Sequence, residues 1–414
     1  MIVKSKIKNF KFHFLKPKFF SNSKLPMESE LKSYINYVRK NAHKFSVLDP
    51  LNLNNTKPSN EFNPEYWNIS EIDKVENFPV DYTFGHQIGN LDTVKDLKEY
   101  LTKNYLKSVG VEFEHLDSET EKLWLYENYE KAISKELTKM ELVNSLKILL
   151  SGELFEVFLK NKVPTFKRYS GEGMMSTLIG LNALFSECSK KSSLFSSVVL
   201  GMPHRGRLNI LPIIFDYPLV NLLAKISGKR DIPQEVAGID DVVHHVSVSN
   251  TKTFFLDGNL SDHRNITVTM LHNPSHLEAA YPCAMGKALA KQRDLTDNTN
   301  VLNVVLHGDA ALSGQGIIME ALSIHKTPEC YIGGTVHIVN NNQIGYTTEK
   351  NCGRSTRHCT DIFKGYDIPV IHVNADEVES VIKVFRFVLE YRQKFKKDIA
   401  IDMIGLLFSI IAQF

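Results

Sequence analysis

The chain has 414 residues, 43% of them hydrophobic and 23% charged, which is the balance of a folded globular protein of roughly two to three domains. Its net charge of +2 is too small to draw nucleic acid or an acidic partner. No apolar run reaches the length of a membrane span; the most apolar stretch, 399–414, is interrupted by Asp402.

Residues 1–27 carry Lys4, Lys6, Lys8, Lys11, Lys16, Lys18 and Lys24, no acid, and the interleaved aromatics Phe10, Phe12, Phe14, Phe19 and Phe20. A basic, acid-free, amphipathic start has the make-up of a mitochondrial presequence, which predicts delivery to the matrix. Residues 28–92 are rich in Asn, Pro and Ser and read as poorly ordered, with one helical patch over 30–44 and a loop over 69–92. Residues 93–162 read as a small helical domain. Apolar residues recur there at three-to-four spacing in Leu97, Tyr100, Leu101 and Tyr105, then in Leu142, Leu146, Leu149 and Leu150.

From residue 163 the texture changes to α/β, and the unit is expected to run to 404. Strands are predicted over 197–201, 266–271, 302–307, 335–340, 370–373 and 398–404, and helices over 173–185, 281–293, 316–325 and 377–395. Apolar strands alternating with helices predict a mainly parallel sheet flanked by helices on both faces. Residues 405–414 form a divergent apolar tail. The cysteines, Cys188, Cys283, Cys330, Cys352 and Cys359, are odd in number and lack any Cys-x-x-Cys pair, which argues against a disulfide framework or a zinc site of that kind.

Ligands of such folds bind beyond the carboxyl ends of the strands, so the residues after each strand carry the information. Gly308-Asp309-Ala310-Ala311 follows one strand; glycine lets a ligand approach the backbone, and the carboxylate is a hard oxygen donor for magnesium. Ser313-Gly314-Gln315-Gly316 then opens a helix whose amides can receive phosphate oxygens. The next strand ends in Asn341-Asn342-Gln343-Ile344-Gly345, which offers an amide oxygen and a carbonyl. Either half alone is an ordinary turn. Together, on successive βα units, they predict a magnesium–diphosphate site.

The surrounding text is more specific. Phe166-Lys167-Arg168-Tyr169-Ser170-Gly171-Glu172-Gly173, Gly201-Met202-Pro203-His204-Arg205-Gly206-Arg207-Leu208-Asn209, Asn273-Pro274-Ser275-His276-Leu277-Glu278, His307-Gly308-Asp309-Ala310-Ala311 and Asn341-Asn342-Gln343-Ile344-Gly345-Tyr346-Thr347-Thr348 resemble, in order and spacing, the E1 component of 2-oxoglutarate dehydrogenase. Gly345 to Thr348, Gly353-Arg354-Ser355 and Cys359-Thr360-Asp361-Ile362 look closer to its 2-oxoadipate dehydrogenase-like branch, as does His244 where the oxoglutarate-type enzymes tend to carry Tyr.

The resemblance implies the thiamine diphosphate-binding fold, here its diphosphate domain, with thiamine diphosphate and Mg²⁺ as cofactors. Asp309, Asn342 and the Ile344 carbonyl would ligate the metal, with Ala310 beside them, and Arg207 would meet the phosphates. His204, His245 and His276 would bind the 2-oxo acid and shuttle protons. The implied reaction is oxidative decarboxylation of 2-oxoadipate or 2-oxoglutarate with acyl transfer to a lipoyl-bearing E2 partner, in an E1 homodimer.

Two departures stand out. Met174-Met175 replaces a family pattern with a further Glu. After Met403-Ile404, where the family continues into its pyrimidine-binding half, the text becomes Gly405-Leu406-Leu407-Phe408. The resemblance therefore implies the N-terminal half of an E1, expected to turn over substrate negligibly by itself. The alternative is a non-catalytic homologue that binds Mg²⁺–diphosphate or pairs with full-length E1.

Overall fold

The computed structural model describes residues 27–51, 57–75, 91–229, 242–293 and 300–406. The predicted presequence and the tail beyond Leu406 lie outside them.

The strands are β1 Val109–Glu112, β2 Ser197–Gly201, β3 Val248–Lys252, β4 Ile266–Met270, β5 Val301–Gly308, β6 Thr335–Asn341, β7 Ile344–Gly345, β8 Thr348–Glu349, β9 Val370–Asn374 and β10 Ile399–Ile404. Eight of them form one sheet in the order β1-β9-β10-β6-β5-β2-β4-β3, and β7 and β8 make a separate hairpin. From β9 through β4 every pairing is parallel, while β1 and β3 close the two edges antiparallel. β2, β5, β6, β9 and β10 are buried almost throughout, as strands covered on both faces must be.

The helices are α1 Met27–Asn41, α2 Val94–Tyr105, α3 Glu119–Ser134, α4 Lys139–Lys162, α5 Ser176–Ser189, α6 Arg207–Phe215, α7 Leu219–Ile226, α8 Ala280–Arg293, α9 Asp309–Gly314, α10 Ile317–Ile324, α11 Lys350–Gly353, α12 Asp361–Lys364 and α13 Val378–Phe395. Side chains set their starts: Thr93 with Asp96 and Thr138 with Glu141 form reciprocal capping boxes, and Ser118 caps α3.

Three expectations change. Much of the 28–92 segment is folded rather than poorly ordered: α1 buries Leu31, Tyr34, Ile35 and Val38, and Phe62, Ile69 and Val75 join the same core. Aromatic packing carries this segment, with Tyr37 against Phe62 at 5.3 Å and Trp67 at 5.7 Å. Asn-rich composition conceals so few anchors. Second, residues 93–162 do not close a core of their own. Leu97, Leu125 and Leu159 share one core with the sheet, and β1 supplies its edge. Third, the three-to-four spacing on α4 does mark a helix, but Leu142, Leu146 and Leu150 lie on its outer face and, with Leu154 and Phe158, are 39–66% exposed.

From β2 the chain runs outward to β4, then returns past β2 to β5. That reversal is the switch point of the sheet, and such points open a crevice at the strand exits. Gly201-Met202 and Gly308-Asp309 are the two exits there.

Candidate cofactor and substrate site

Asp309 begins α9 directly beyond β5. Its side chain is buried, and Oδ2 accepts from Arg354 Nη1 at 3.2 Å. Burial pushes the carboxyl up to about 6, with Arg354 pulling the other way. Asn342 is also buried, and its Oδ1 accepts from the Ile344 backbone N–H at 3.3 Å. Gln343 and Tyr346 hold positive φ (63° and 58°) on either side of Ile344, backbone strain of the kind concentrated at functional loops. A Cβ on Gly345 would meet the Ala310 methyl at 2.7 Å, so only glycine lets this loop lie against α9. A Cβ on Gly308, Gly314 or Gly316 would meet nothing within 4 Å, so open space surrounds both ends of α9.

These residues fit a magnesium–diphosphate group. The donors are hard oxygens on adjoining strand exits, beside glycine-lined space. A metal ion would have to compete with Arg354 for Asp309. The expected helix opening at Gly316 is modified, because Asp309–Gly314 is itself a short helix and Gly316 caps the next.

Arg207, expected to meet the phosphates, is occupied by backbone carbonyls in this structure. It is fully buried, with Nη1 donating to Met202 O at 3.1 Å and Nη2 to Val246 O at 2.7 Å and to Leu271 O. It clamps carbonyls at the exits of β2 and β4, and burial pushes it down to about 9. Arg205 is the guanidinium that feels Asp309 and Glu172, while its Nη1 donates to Ser170 O at 3.2 Å. Sequence alone separates the two poorly, since Gly206 is all that lies between them.

His204 and His245 come together in a cavity of about 710 Å³ beyond β2, with Tyr169, His244 and Ser275 in its wall. With the Asn273 amide turned so that both of its ends find partners, its Oδ1 accepts from His204 Nδ1 at 2.7 Å, which assigns the proton to Nδ1 and leaves Nε2 as an acceptor. Burial, then the nearby His245, Arg207 and Arg205, push its pKa down. His276 is exposed at the start of the turn Leu277–Ala279 and is not among the described residues lining that cavity; its neighbour Ser275 is.

A second buried chain was not foreseen. Glu278 Oε2 meets His307 Nδ1 at 2.6 Å, His307 Nε2 meets His337 Nδ1 at 3.0 Å, and His337 Nε2 meets Asp398 Oδ2 at 3.1 Å. It ties the loop after β4 to β5 and β6. Met174 and Met175, the departure near Gly173, are buried; Met175 Sδ lies 3.7 Å from Asn209 Nδ2.

His244 stacks on Phe166 at 5.4 Å and meets Tyr169 edge-on at 4.8 Å, and its Nε2 is buried with no hydrogen-bond partner. Burial pushes its pKa down to about 4. The unfolded chain takes this proton near 6.5, so the neutral ring's contribution is present above 6.5 and is lost as pH falls through 4. His244→Phe is therefore expected to remove about 2 kcal/mol of acid sensitivity between those pH values. Urea melts at both ends of the window check this, and an unchanged difference between them would defeat it.

A parallel sheet with oxygen donors and glycine-lined space at its switch point has the architecture of the thiamine diphosphate-binding α/β fold. Residues 196–406 match the family described as Dehydrogenase E1 component, and the chain belongs to that family. It is 36% identical over 391 residues to the probable 2-oxoadipate dehydrogenase complex component E1 homolog of Caenorhabditis elegans, covering 92% of this chain and 40% of that one. It is 42% identical over 318 residues to the corresponding homolog of Dictyostelium discoideum (76% and 34% covered). It is 35% identical over 372 residues to "2-oxoglutarate dehydrogenase, mitochondrial" of the same organism (87% and 36% covered). The chain thus spans between 34% and 40% of the length of these relatives. No helix among the described residues is long and apolar enough to cross a membrane.

Proposed function

We propose that this chain forms the magnesium–diphosphate end of the thiamine diphosphate site of a 2-oxo acid dehydrogenase E1, acting on a 2-oxo dicarboxylic acid, 2-oxoadipate or 2-oxoglutarate. The observation that carries the substrate class is the cavity beside His204. Its described lining holds Lys167, Lys225, Lys229, His204, His244 and His245 and no acid. A dianion is the complement of such a wall.

Thiamine diphosphate, when bound, supplies the electron sink for loss of CO₂. Asp309, Asn342 and the Ile344 carbonyl would hold its Mg²⁺, and Arg205 would lie along the diphosphate. His204, with Nδ1 fixed by Asn273, would present Nε2 to the substrate carboxylate or to a proton in transit, with His245 beside it. Within that reading the acyl group passes to a lipoyl-bearing E2. The exposed stripe Leu142, Leu146, Leu150, Leu154 and Phe158 is a face that a second subunit of a homodimer can cover. The basic start and the mitochondrial relative support residence in the matrix. The sequence that the relatives carry beyond the matched span would supply the pyrimidine end of the cofactor site.

Titration calorimetry with thiamine diphosphate and Mg²⁺ tests the reading; no heat of binding by the unmodified chain would sink it. Arg205→Met is expected to weaken that binding about 10–100-fold, because it removes a charge-assisted hydrogen bond to the diphosphate. Arg207→Met should instead lower thermal stability, because it leaves three carbonyls unpaired, and should leave binding by the folded fraction near normal. The opposite pattern would return the phosphate role to Arg207.

A further inference from the structure

Four side chains far apart in the sequence converge at the β1 edge of the sheet. They are His43 in the 3-10 turn after α1, Glu112 at the end of β1, His358 in the loop after α11, and His372 on β9. All four are buried, and one ligand atom from each lies within 4.8 Å of the others. His43 Nδ1 is 3.2 Å from His358 Nε2, Glu112 Oε2 is 3.4 Å from His43 Nε2, and Glu112 Oε1 is 2.9 Å from His372 Nε2. We propose that these residues form a zinc-binding site of three imidazoles and one carboxylate.

The physical case has three parts. Ligand atoms around a tetrahedral Zn²⁺ with bonds near 2.0–2.1 Å stand roughly 3.4 Å apart; here one atom from each residue already lies within 4.8 Å of the rest, and His43 can offer either Nδ1, 3.2 Å from His358 Nε2, or Nε2, 3.4 Å from Glu112 Oε2. All four side chains are also buried, so an ion held between them would be shielded from bulk water. Finally, His372 Nδ1 lies 2.8 Å from Asp402 Oδ2, the carboxylate–imidazole backing that orients ligating histidines. Ion binding would release the His372 Nε2 proton and displace Lys364, which now pairs with Glu112. Solvent reaches the cluster through two cavities, of about 450 and 610 Å³, that both border His43 and His358.

The site would fasten the N-terminal segment to the sheet. It would also stiffen the cofactor loop, since Asp402 Oδ1 accepts from Asn341 Nδ2 at 2.9 Å beside Asn342. The site is separate from Asp309 and needs no cysteine.

The test titrates the metal-stripped 414-residue chain with ZnCl₂ in excess Mg²⁺, and with Co²⁺ as a spectroscopic probe. One equivalent of Zn²⁺ should bind and raise the thermal midpoint by about 3 °C at a hundredfold excess over Kd. Co²⁺ should give tetrahedral visible bands with no thiolate charge-transfer band. His43→Gln and His358→Gln should each weaken Zn²⁺ binding about 100-fold or more, while Asp309→Ala leaves it unchanged. No uptake, a thiolate band that assigns the ion to cysteines, or undiminished affinity in both glutamine variants would overturn the proposal. The Co²⁺ spectrum of the unmodified chain decides even if a variant fails to fold.

Discussion

Asp309→Ala is expected to abolish magnesium-dependent binding of thiamine diphosphate while leaving the fold intact. Asp309 is the only carboxylate among the proposed metal ligands; Asn342 and the Ile344 carbonyl are neutral. Losing the one anionic ligand of a hard divalent ion should cost about 100-fold or more in affinity, roughly 3 kcal/mol. The cost to stability should be small. Burial already works against the charged form of this group, and the Arg354 ion pair at 3.2 Å is its main compensation. The substitution leaves Arg354 without its carboxylate, but that guanidinium borders an open cavity of about 610 Å³, where water can take the place of the lost partner. Calorimetry with Mg²⁺–thiamine diphosphate should thus show no binding, and the thermal midpoint should move by less than about 3 °C. A variant that still binds would remove Asp309 from the metal site. One that binds normally only after refolding at low temperature would make it a scaffold residue.

The sequence disclosed the sheet where burial on both faces forces unbroken apolar runs. Val198 to Leu200 and Val304 to Leu306 are such runs, Val336 to Val339 is broken only by the buried His337, and a Gly or Asn follows each within two residues to mark the strand exit. β1 escaped because Val109-Gly110-Val111-Glu112 is short and sits among helices, and its meaning lies in a partner strand far along the chain. β3 escaped because Val248-Ser249-Asn250-Thr251-Lys252 is a half-exposed edge strand with polar residues on its outer face. The loops after β2, β5 and β6 were legible as motifs, but a motif fixes position along the chain and leaves direction open. Hence the motif gave no sign that the Arg207 guanidinium would lie among carbonyls. Long-range clusters leave no local trace at all: His43 and His358 touch across 315 positions.

Asp402 shows what an interruption in an apolar run can mean, and replacing it should have the largest effect on stability. It reads in sequence only as a charge that breaks the run 399–414. In the fold it is fully buried on β10 and holds three neighbours: Oδ2 meets His372 Nδ1 at 2.8 Å, and Oδ1 accepts from Asn341 Nδ2 at 2.9 Å and from Cys359 Sγ at 3.7 Å. Burial opposes a charge on His372, yet hydrogen bonds to Asp402 and Glu112 hold it up to about 9, so the ring is a cation at neutral pH. Asp402→Ala takes one anion from that cation and leaves the Asn341 amide only the weak acceptor Cys359 Sγ at 3.5 Å. Breaking a buried pair on one side costs about 3–5 kcal/mol. The thermal midpoint should fall by roughly 4–6 °C, since the unfolding entropy of a chain this long dilutes each kcal/mol to about 1 °C. Asp402→Asn keeps the shape and an acceptor for one neighbour, and should lose about half as much. The two aspartates therefore divide the labour of adjacent strand exits. Asp309→Ala should lose ligand and keep stability; Asp402→Ala should lose stability first, and ligand only as the Asn341–Asn342 loop loosens. Melting curves and cofactor titrations on the same two variants separate these effects. Equal losses of both properties in both variants would show that no such division exists.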